Sequence, residues 1–454
     1  MAGEMSKEVV STCIGALKRI EQKGENKREE DALRQLTEWL SKMKFEDGKS
    51  VGEDNPKLDP LAGEYLLQFW DSFSLRNIEV IRGKNWTEAG SESMHARRHS
   101  SLSGDSGSLL LPAELAKLQS WEDFDVFKVE TLTNGKPLET VAMAILEEFE
   151  LVTKLNLDTA KLTKFFKAVE EHYLDNPYHN KTHAADVVQA LGVILARDNL
   201  KSRFTDLELL AMLLAAVVHD VAHPGVTNEF HINTRSPVAI MYNDVSVNEN
   251  FHASKAFKLM QGNDYHALDG LSEDDFRFVR KSMIRMVLAT DMIKHNELLA
   301  RFSRFFTLYD KDLDKWESDD ARSALRQMLL HCADISNPAR PWKLASQWSH
   351  RIMEELFAQG DKEASLGVAC SPLCRRDHVQ IPKSQATFLE FVAKPSLELL
   401  SQLAPKFGET ALHHVAVNLA EWEARMKEDG AKPTGAARPS PDLKGTGLNR
   451  ASQR

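Results

Sequence analysis

The chain has 454 residues, of which 42% are hydrophobic and 27% charged, and this composition is ordinary for a globular protein. Its length is enough for two or three domains, or for one large domain with extensions. The formal net charge of −10 argues against a general nucleic-acid binder, which would present a basic face. The four cysteines are too few and too scattered for a disulfide framework.

The sequence predicts a cytosolic protein. The first residues, "MAGEMSKEVVSTCIGALKRI", lack the basic and then apolar pattern of a secretory signal. Ala2 stands where N-myristoylation needs a glycine. The longest apolar run, "LELLAMLLAAVV" at residues 207–218, is shorter than the roughly 20 residues that span a bilayer. We therefore expect no membrane span.

Residues 1–87 are expected to form a helical regulatory or partner region. Within residues 7–44, apolar side chains follow the 3-4-3 spacing of a narrow helical stripe: Leu33, Leu36, Leu40 and Met43. Such a stripe suits a homodimer or partner helix, and it suits equally a helix packed on its own domain. The amphipathic stretch "EYLLQFWDSF" at residues 64–73 is expected to be buried under the domain rather than to touch a membrane.

Residues 88–120 are expected to be a linker rich in serine and glycine, because their first part holds almost no large hydrophobic residues. Within it, "RRHSS" places two arginines just before Ser100 and Ser101. A basophilic kinase would recognise this short motif, and a phosphate on Ser100 could pair with the arginines. The motif therefore predicts a kinase site at Ser100.

Residues 121–428 are predicted to form one all-α domain. Helical patterns such as "TDLELLAMLLAAVVHD" and "DARSALRQMLLHCADI" recur, and several begin with a capping serine, threonine or aspartate. Alternating β-branched runs joined by hairpin turns are not found in the sequence. The tail, residues 429–454, is rich in proline, glycine and basic residues, so we expect it to be disordered.

Two histidine clusters in this domain suggest chemistry. "NPYHNKTHAADVVQ" carries His179 and His183 at helical i, i+4 spacing, and "VVHDVAHPGVTN" repeats the spacing with His219, Asp220 and His223. A further carboxylate, Asp334, lies in "HCADISNP". Isolated histidines elsewhere are more often surface or core residues, whereas this joint pattern predicts a divalent-metal hydrolase.

The residue types favour a two-metal site. Imidazoles and carboxylates suit Zn, Mn, Fe and Mg. His183, the His219–Asp220 pair and Asp334 each lie near the end of an apolar helical run, where a side chain can face a site while its helix stays anchored. Asp220 has two oxygens and can bridge two cations, which together would generate hydroxide and neutralise a phosphoryl oxygen.

Seven motifs now resemble a known family: "YHNKTHAADV", "HDVAHPGVTN", "YNDVSVNENFH", "VLATDM", "HCADISNP", "QWSHRIMEE" and "KSQATF". In register over residues 124–422, they resemble the catalytic domain of the class I 3′,5′-cyclic nucleotide phosphodiesterases, part of the HD-type metal-dependent phosphohydrolases. The resemblance does not extend to the first 110 residues or to the tail. It implies a compact all-α catalytic domain and an enzyme that ends cyclic nucleotide signalling.

The resemblance also implies roles for individual residues. Four residues match the ligands of a tightly held metal, usually zinc: His183, His219, Asp220 and Asp334. Asp220 also matches the bridge to a second metal, usually magnesium or manganese. The water shell of that metal is matched by His223 and Glu249, with His252 and Asp291 as supporting neighbours. His179 matches the general acid that protonates O3′ as it leaves, while a hydroxide held between the two metals attacks phosphorus.

The nucleotide pocket follows from the same resemblance. Gln385 matches the purine-binding glutamine, and Phe388 and Ile352 match the apolar walls that sandwich the base. Asn337, Tyr178 and Met292 match other pocket positions. An apolar slot with an amide is also what a flat purine requires physically.

The choice of nucleotide is less constrained. Asn337 stands where cyclic-AMP-selective relatives carry asparagine, which favours cyclic AMP and 5′-AMP as its product. "FHINTRSPVAIMYND" looks more like the dual-specificity branch, so use of both cyclic AMP and cyclic GMP is the main alternative. A general HD-type phosphohydrolase would not need "KSQATF", and an inactive nucleotide-binding scaffold would not need every ligand and the acid.

Two positions depart from the family pattern. Ala222 replaces an acidic residue, and Phe251 replaces the first of two histidines. Neither is a metal ligand in the pattern, so we still expect activity. The loss of an acid beside the metals would act on the affinity of the second metal.

Overall fold

The computed structural model describes residues 45–46, 49–50, 107–262, 266–309 and 311–431. Almost all of this part of the chain is helical, which confirms the predicted all-α fold. The exception is a pair of two-residue strands, in which β1 (Phe45–Glu46) pairs antiparallel with β2 (Lys49–Ser50). The predicted stripe at residues 33–43, the stretch at residues 64–73 and the motif at Ser100 lie outside the described residues.

The helices, numbered in chain order, are α1 Gly107–Leu115, α2 Val126–Leu132, α3 Pro137–Glu148, α4 Leu151–Lys154, α5 Thr159–His172, α6 Lys181–Arg197, α7 Asp206–Val218, α8 Asn228–Asn233, α9 Pro237–Met241, α10 Val247–Met260, α11 Glu273–Val287, α12 His295–Tyr309, α13 Asp319–Asp334, α14 Trp342–Leu366, α15 Ile381–Phe388, α16 Lys394–Ser401 and α17 Pro405–Ala431. Short 3₁₀ helices cover Leu200–Arg203, Met292–Lys294, Leu313–Lys315 and Asn337–Ala339, and a π-helical turn covers Leu389–Ala393.

Helix starts follow the capping residues that the sequence predicts. The Asp158 carboxylate accepts from the backbone of Ala160 and Lys161 at the start of α5. At the start of α7, Thr205 and Glu208 form a reciprocal capping box. At the start of α13 the Ser318 hydroxyl accepts from the backbone N–H of Ala321. These side chains satisfy backbone N–H groups that a helix leaves without partners.

Helices α6 and α7 form the centre of the domain. Both are buried along almost their whole length, and they pack against each other, with α11 on α7 and with α3 and α13 on α6. A helix that is apolar on all sides belongs in a core. No helix in the described part of the chain is long and apolar enough to cross a membrane. The ends of these two helices carry the residues of interest.

Helix α1 and the segment after it contact the helices that follow, although residues 88–120 were predicted to be a linker. Helix α1 lies within the predicted linker, yet its Glu114 is 1% exposed and accepts from Lys117, Lys128 and the backbone of Asp125. Gln189 of α6 also holds the following segment through Leu118 O at 2.7 Å. The serine-rich composition of the earlier residues hid this helix. At the other end, α17 continues to Ala431, past the predicted start of the tail.

A buried ionic network joins the segment after α1, which contains Trp121, to the turn at Asn337–Ala339. Arg340 is fully buried, and its Nη2 donates to Asp186 Oδ1 at 2.7 Å and to Gln189 Oε1 at 2.5 Å. Its guanidinium lies 3.8 Å from the ring centroid of Trp121, whose Nε1 donates to Ala339 O. Burial without partners would be very costly for such a charge. The network therefore fixes the turn against α6.

Candidate functional site

Four predicted ligands converge from three helices. His183 lies in the first turn of α6, where the Asn180 side chain accepts from its backbone N–H. His219 directly follows the last residue of α7, and Asp220 comes next. Asp334 is the last residue of α13. Each side chain is thus anchored by a helix end at the centre of the fold.

The spacing of these four side chains suits one metal ion. His183 Nε2 lies 3.1 Å from Asp334 Oδ1 and 3.5 Å from Asp220 Oδ2, while His219 Nε2 lies 3.1 Å from Asp220 Oδ2 and 3.4 Å from Asp334 Oδ1. The two Nε2 atoms are 3.3 Å apart. Ligands about 2.0–2.1 Å from a tetrahedral ion are separated by about 3.3 Å. The donor set of two nitrogens and two carboxylates therefore fits a divalent cation.

Backbone carbonyls orient two of the imidazoles in this region. His219 Nδ1 lies 2.8 Å from Ala216 O, and a carbonyl can only accept, so Nδ1 carries a hydrogen and Nε2 faces its partners in the four-donor cluster, which consists of His183, His219, Asp220 and Asp334. His252 Nδ1 is fixed by Val221 O at 2.8 Å in the same way. Among the described residues its Nε2 is buried without a hydrogen-bond partner, and it faces Asp220 Oδ1 at 3.7 Å. Such an orphaned acceptor is suited to a water of a metal shell.

The electrostatics of the four-donor cluster are those of a cation site. Burial opposes a charge on His219, but Asp220 and Asp334 outweigh burial and raise the pKa of its imidazole well above the usual value. Burial also favours neutral carboxyls, yet His219 holds the pKa of Asp220 and that of Asp334 below the usual value. The chain alone therefore retains a proton where a cation would bind.

A second cluster adjoins the first and consists of His179, His223 and Glu355. His179 Nδ1 lies 2.5 Å from Glu355 Oε1, and Glu355 Oε2 accepts from the backbone of Tyr178 and His179. The rings of His179 and His223 stack with their centroids 4.0 Å apart. The His179 side chain is 26% exposed, so Nε2 can meet a ligand while Nδ1 stays on the carboxylate.

In this second cluster, which we call the acid cluster (His179, His223 and Glu355), the two stacked imidazoles differ in charge. Burial opposes a charge on His179, but Glu355 outweighs burial and raises the pKa of His179 to about 9. Burial and the charge on His179 lower the pKa of His223 well below its usual value. His223 Nδ1 accepts from the backbone of Gly225 at 3.0 Å, which suits a neutral ring. One proton is thus held on His179.

Asn176 joins the two segments that carry these histidines. Its Nδ2 donates to His179 O at 2.9 Å and to His223 O at 2.7 Å. Gly225, with φ of +69°, brings its backbone so close that a Cβ there would lie 2.7 Å from Asn176 Oδ1. Only glycine meets both the left-handed φ and this close approach.

Glu249 and Asp291 lie beside the clusters. The Glu249 carboxylate accepts from Asn228 Nδ2 at 2.9 Å, and burial together with Asp291 raises its pKa to about 8. Asp291 is buried and caps Met292–Lys294 through Ile293 N. Two carboxyls in one partly buried space disfavour each other's charge unless a cation is present.

The predicted pocket residues lie on several elements. Asn337 Nδ2 lies 2.5 Å from the Tyr178 hydroxyl, and the Tyr178 ring packs on His183 with centroids 4.7 Å apart. Gln385 is buried on α15, next to α14, and makes no hydrogen bond to another described side chain. The remaining positions are partly exposed or exposed: Ile352, Phe388 and Met292. Their contacts with a base stay predictions.

Neither of the two residues that depart from the family pattern belongs to the four-donor cluster. Ala222 adopts a left-handed φ of +63° in the turn between Asp220 and His223. The Phe251 ring lies beside His252 with centroids 6.2 Å apart.

Two residues of the site were missed by sequence reasoning. Glu355 lies in the quoted motif "QWSHRIMEE", but its partner His179 is 176 residues away, so no local pattern connects them. Asn176 precedes His179 by three residues, and its link to His223 spans 47 residues. The sequence offered one signal for Asn176, which is that it lies three residues before His179.

Comparison with known proteins gives the same result along most of this domain. Residues 178–415 match the family described as 3′5′-cyclic nucleotide phosphodiesterase. A solved structure, the phosphodiesterase domain of the RhoPDE fusion protein from the choanoflagellate Salpingoeca rosetta, is 33% identical with a TM-score of 0.65. That alignment covers 69% of this chain and 97% of the solved chain.

Curated relatives agree. 3′,5′-Cyclic-AMP phosphodiesterase 4C of Rattus norvegicus is 40% identical over 323 residues, which is 70% of this chain and 60% of the relative. The probable 3′,5′-cyclic-AMP phosphodiesterase pde-4 of Caenorhabditis elegans is 38% identical over 325 residues, which is 70% of this chain and 48% of the relative. The matches thus span about half to three fifths of those proteins. The resemblance found in the sequence is confirmed, and the chain belongs to the 3′5′-cyclic nucleotide phosphodiesterase family.

Proposed function

We propose that this protein hydrolyses the 3′-phosphoester bond of 3′,5′-cyclic nucleotides, with cyclic AMP favoured and 5′-AMP as its product. The observation that carries the proposal is the adjacency of two clusters, because four convergent metal donors lie beside a histidine that Glu355 holds protonated. The relatives named for cyclic AMP support the choice of substrate class.

The residues fit two divalent cations. The four-donor cluster (His183, His219, Asp220 and Asp334) would hold the first, which we propose to be zinc. Asp220 would share the second, magnesium or manganese, with water held by Glu249 and His223 and supported by His252 and Asp291. When bound, the two ions supply Lewis-acid charge at the phosphoryl oxygens and lower the pKa of water at the site.

His179 would supply the proton. A cyclic phosphodiester has a poor alkoxide leaving group, so O3′ must be protonated as its bond to phosphorus breaks. Glu355 occupies Nδ1 of His179, and the proton would therefore leave from Nε2. The neutral His223 stacked on this ring cannot compete as an acid at neutral pH.

The Asn337 amide supports cyclic AMP. Because its Nδ2 donates to the Tyr178 hydroxyl in this orientation, Oδ1 remains to accept from a base. The exocyclic N6 amine of adenine is a donor, whereas O6 of guanine is an acceptor. An Asn337 held in this way would therefore discriminate for adenine.

Gln385 favours the alternative, which is dual use of cyclic AMP and cyclic GMP. An amide without a hydrogen bond to another described side chain can rotate and present either its donor or its acceptor to the purine edge. Two purines could then be accepted with similar affinity.

Steady-state kinetics of the purified protein, loaded with zinc and magnesium, test both forms of the proposal. We expect conversion of cyclic AMP to 5′-AMP, with kcat/KM above that for cyclic GMP, and loss of turnover on chelation. Equal values for the two nucleotides would establish dual use. Bound metal without turnover of either nucleotide would leave only the inactive scaffold.

The remaining sequence predictions concern partners, modification and location, and they stay predictions. A homodimer or partner helix in residues 7–44 and a kinase site at Ser100 fall outside the described residues. The cytosolic location and the disordered tail likewise stay predictions.

A further inference from the structure

Helix α14 carries a row of three buried polar side chains, four residues apart on one face: Glu355, Gln359 and Glu363. Their exposed fractions are 4%, 1% and 1%. Buried polar groups are costly unless they are satisfied, so such a row needs specific partners. Glu355 holds His179, as described above. The partner of Gln359 lies on a different segment of the site.

Gln359 holds the turn that begins α8. Its Oε1 accepts from the Thr227 backbone N–H at 2.8 Å, and its Nε2 donates to Thr227 Oγ1 at 3.2 Å and to Glu363 Oε1 at 2.9 Å. A backbone N–H can only donate, so the orientation of the amide is fixed. Glu363 is itself held by the Ser371 backbone N–H at 2.8 Å.

Asn228, the residue after Thr227, contacts Glu249. Asn228 Oδ1 accepts from the Asn248 backbone N–H at 2.8 Å, so its Nδ2 must face the Glu249 carboxylate, at 2.9 Å. Asn248 Nδ2 closes the loop on Val226 O at 2.9 Å. Gln359 therefore reaches Glu249 through two consecutive residues without touching it.

We propose that Gln359 is a positioning residue for the second cation: it holds Thr227 so that Asn228 keeps the Glu249 carboxylate turned toward the shared Asp220. This inference rests on the proposed two-cation site. A packing role alone would lower stability without changing cation affinity selectively. Groups that orient the immediate surroundings of a metal commonly change its affinity by 10- to 100-fold.

The test measures Mn²⁺ binding and does not depend on turnover. Zinc-loaded wild-type protein and the variant Gln359→Met are titrated with Mn²⁺, and free Mn²⁺ is followed by electron paramagnetic resonance. We expect the dissociation constant to rise about tenfold in Gln359→Met, with zinc content unchanged. The matched control is Gln347→Met on the same helix, because the Gln347 amide donates within its own turn, to Lys343 O.

A double variant tests the route through Asn228. If Gln359 acts through Asn228, then Gln359→Met with Asn228→Ala binds Mn²⁺ no more weakly than Asn228→Ala alone. Gln359→Ala serves as the second variant should Gln359→Met not fold, and it must move the binding curve in the same direction. Unchanged Mn²⁺ affinity in a folded Gln359 variant, or effects that add, would overturn the inference. Failure of the wild type to turn over cyclic nucleotides while it binds Mn²⁺ would instead remove only the proposed function.

Discussion

Two groups of histidines and carboxylates lie side by side in this protein and are prepared for different tasks. In the four-donor cluster, Ala216 O accepts from Nδ1 of His219, so Nε2 faces the carboxylates of Asp220 and Asp334. In the acid cluster, Glu355 takes Nδ1 of His179 directly and keeps that ring charged. The source of the charge therefore differs between the two rings. At His219 the carboxylates lie at Nε2, where a cation could replace the proton, whereas at His179 Glu355 holds the charge from Nδ1 and leaves Nε2 open.

Removal of a carboxylate from the four-donor cluster should have the largest effect. We expect Asp334→Ala to lose the tightly held metal and about 10⁴-fold in kcat/KM, because Lewis-acid stabilisation is worth several kcal/mol. Elemental analysis and steady-state kinetics measure both effects. Asp320→Ala, on the same helix but with a 66% exposed side chain, should keep its metal. Normal metal content in Asp334→Ala would contradict the assignment.

His179→Ala should separate the two clusters. The rate should fall about 10³-fold, as expected on losing a general acid, while zinc content stays at the wild-type level. His350→Ala, at an exposed imidazole that faces the backbone of its own helix, is the control. Loss of zinc in His179→Ala would show that the acid and a ligand have been exchanged.

Glu355→Gln should move the pH dependence. The pKa of His179 is raised from 6.5 to about 9, so this group stabilises the fold fully below pH 6.5 and loses that contribution as the pH rises through about 9. Activity that requires the protonated ring should fall over the same upper range. A neutral glutamine removes the raising charge, so both the alkaline fall in kcat and the loss of stability should shift to lower pH.

The rate of Glu355→Gln at neutral pH should decrease by about tenfold, because the charge partner is replaced but an amide remains. pH–rate profiles and pH-dependent thermal unfolding provide the two measurements. An alkaline limb that stays in place would mean that another group donates the proton.

Ala222→Asp should have the smallest effect. The left-handed φ of +63° suits aspartate and asparagine better than alanine, and the added charge lies beside Asp220. We expect the half-saturating Mg²⁺ concentration to fall about threefold, since a partly exposed charge contributes less than about 1 kcal/mol. Ala222→Asn has the same backbone preference without the charge. A similar change in both variants would assign the effect to the backbone.

Sequence reasoning was most successful where the pattern was local. The capped apolar run of α7 predicted a helix, and the motifs around His183, His219 and Asp334 marked residues that the fold brings together. The link from Glu355 to His179 could not be predicted, because it depends on how α14 packs 176 residues further on. The protonation of His179 follows from that contact.

Composition did not reveal the tertiary contacts of the predicted linker. The serine-rich residues before Gly107 suggested a linker to residue 120, yet Glu114 is satisfied by lysines and a backbone N–H in tertiary contact. A buried carboxylate is not distinguishable in sequence from an exposed one. Gln359 and Glu363 on α14 were not singled out, because the sequence likewise does not show that these polar side chains are buried.

The helix ends at the four-donor cluster have a consequence for the order in which ligands bind. Among the described helices, α7 and α13 end there, each with a partial charge of about −0.5 on its last carbonyls, and α6 begins there with a partial positive charge. The main chain thus adds to the carboxylates in repelling a phosphate anion. We expect cations to bind first and the cyclic nucleotide second. Calorimetry should detect no nucleotide binding to metal-stripped protein, and equal affinity with and without metal would exclude this order.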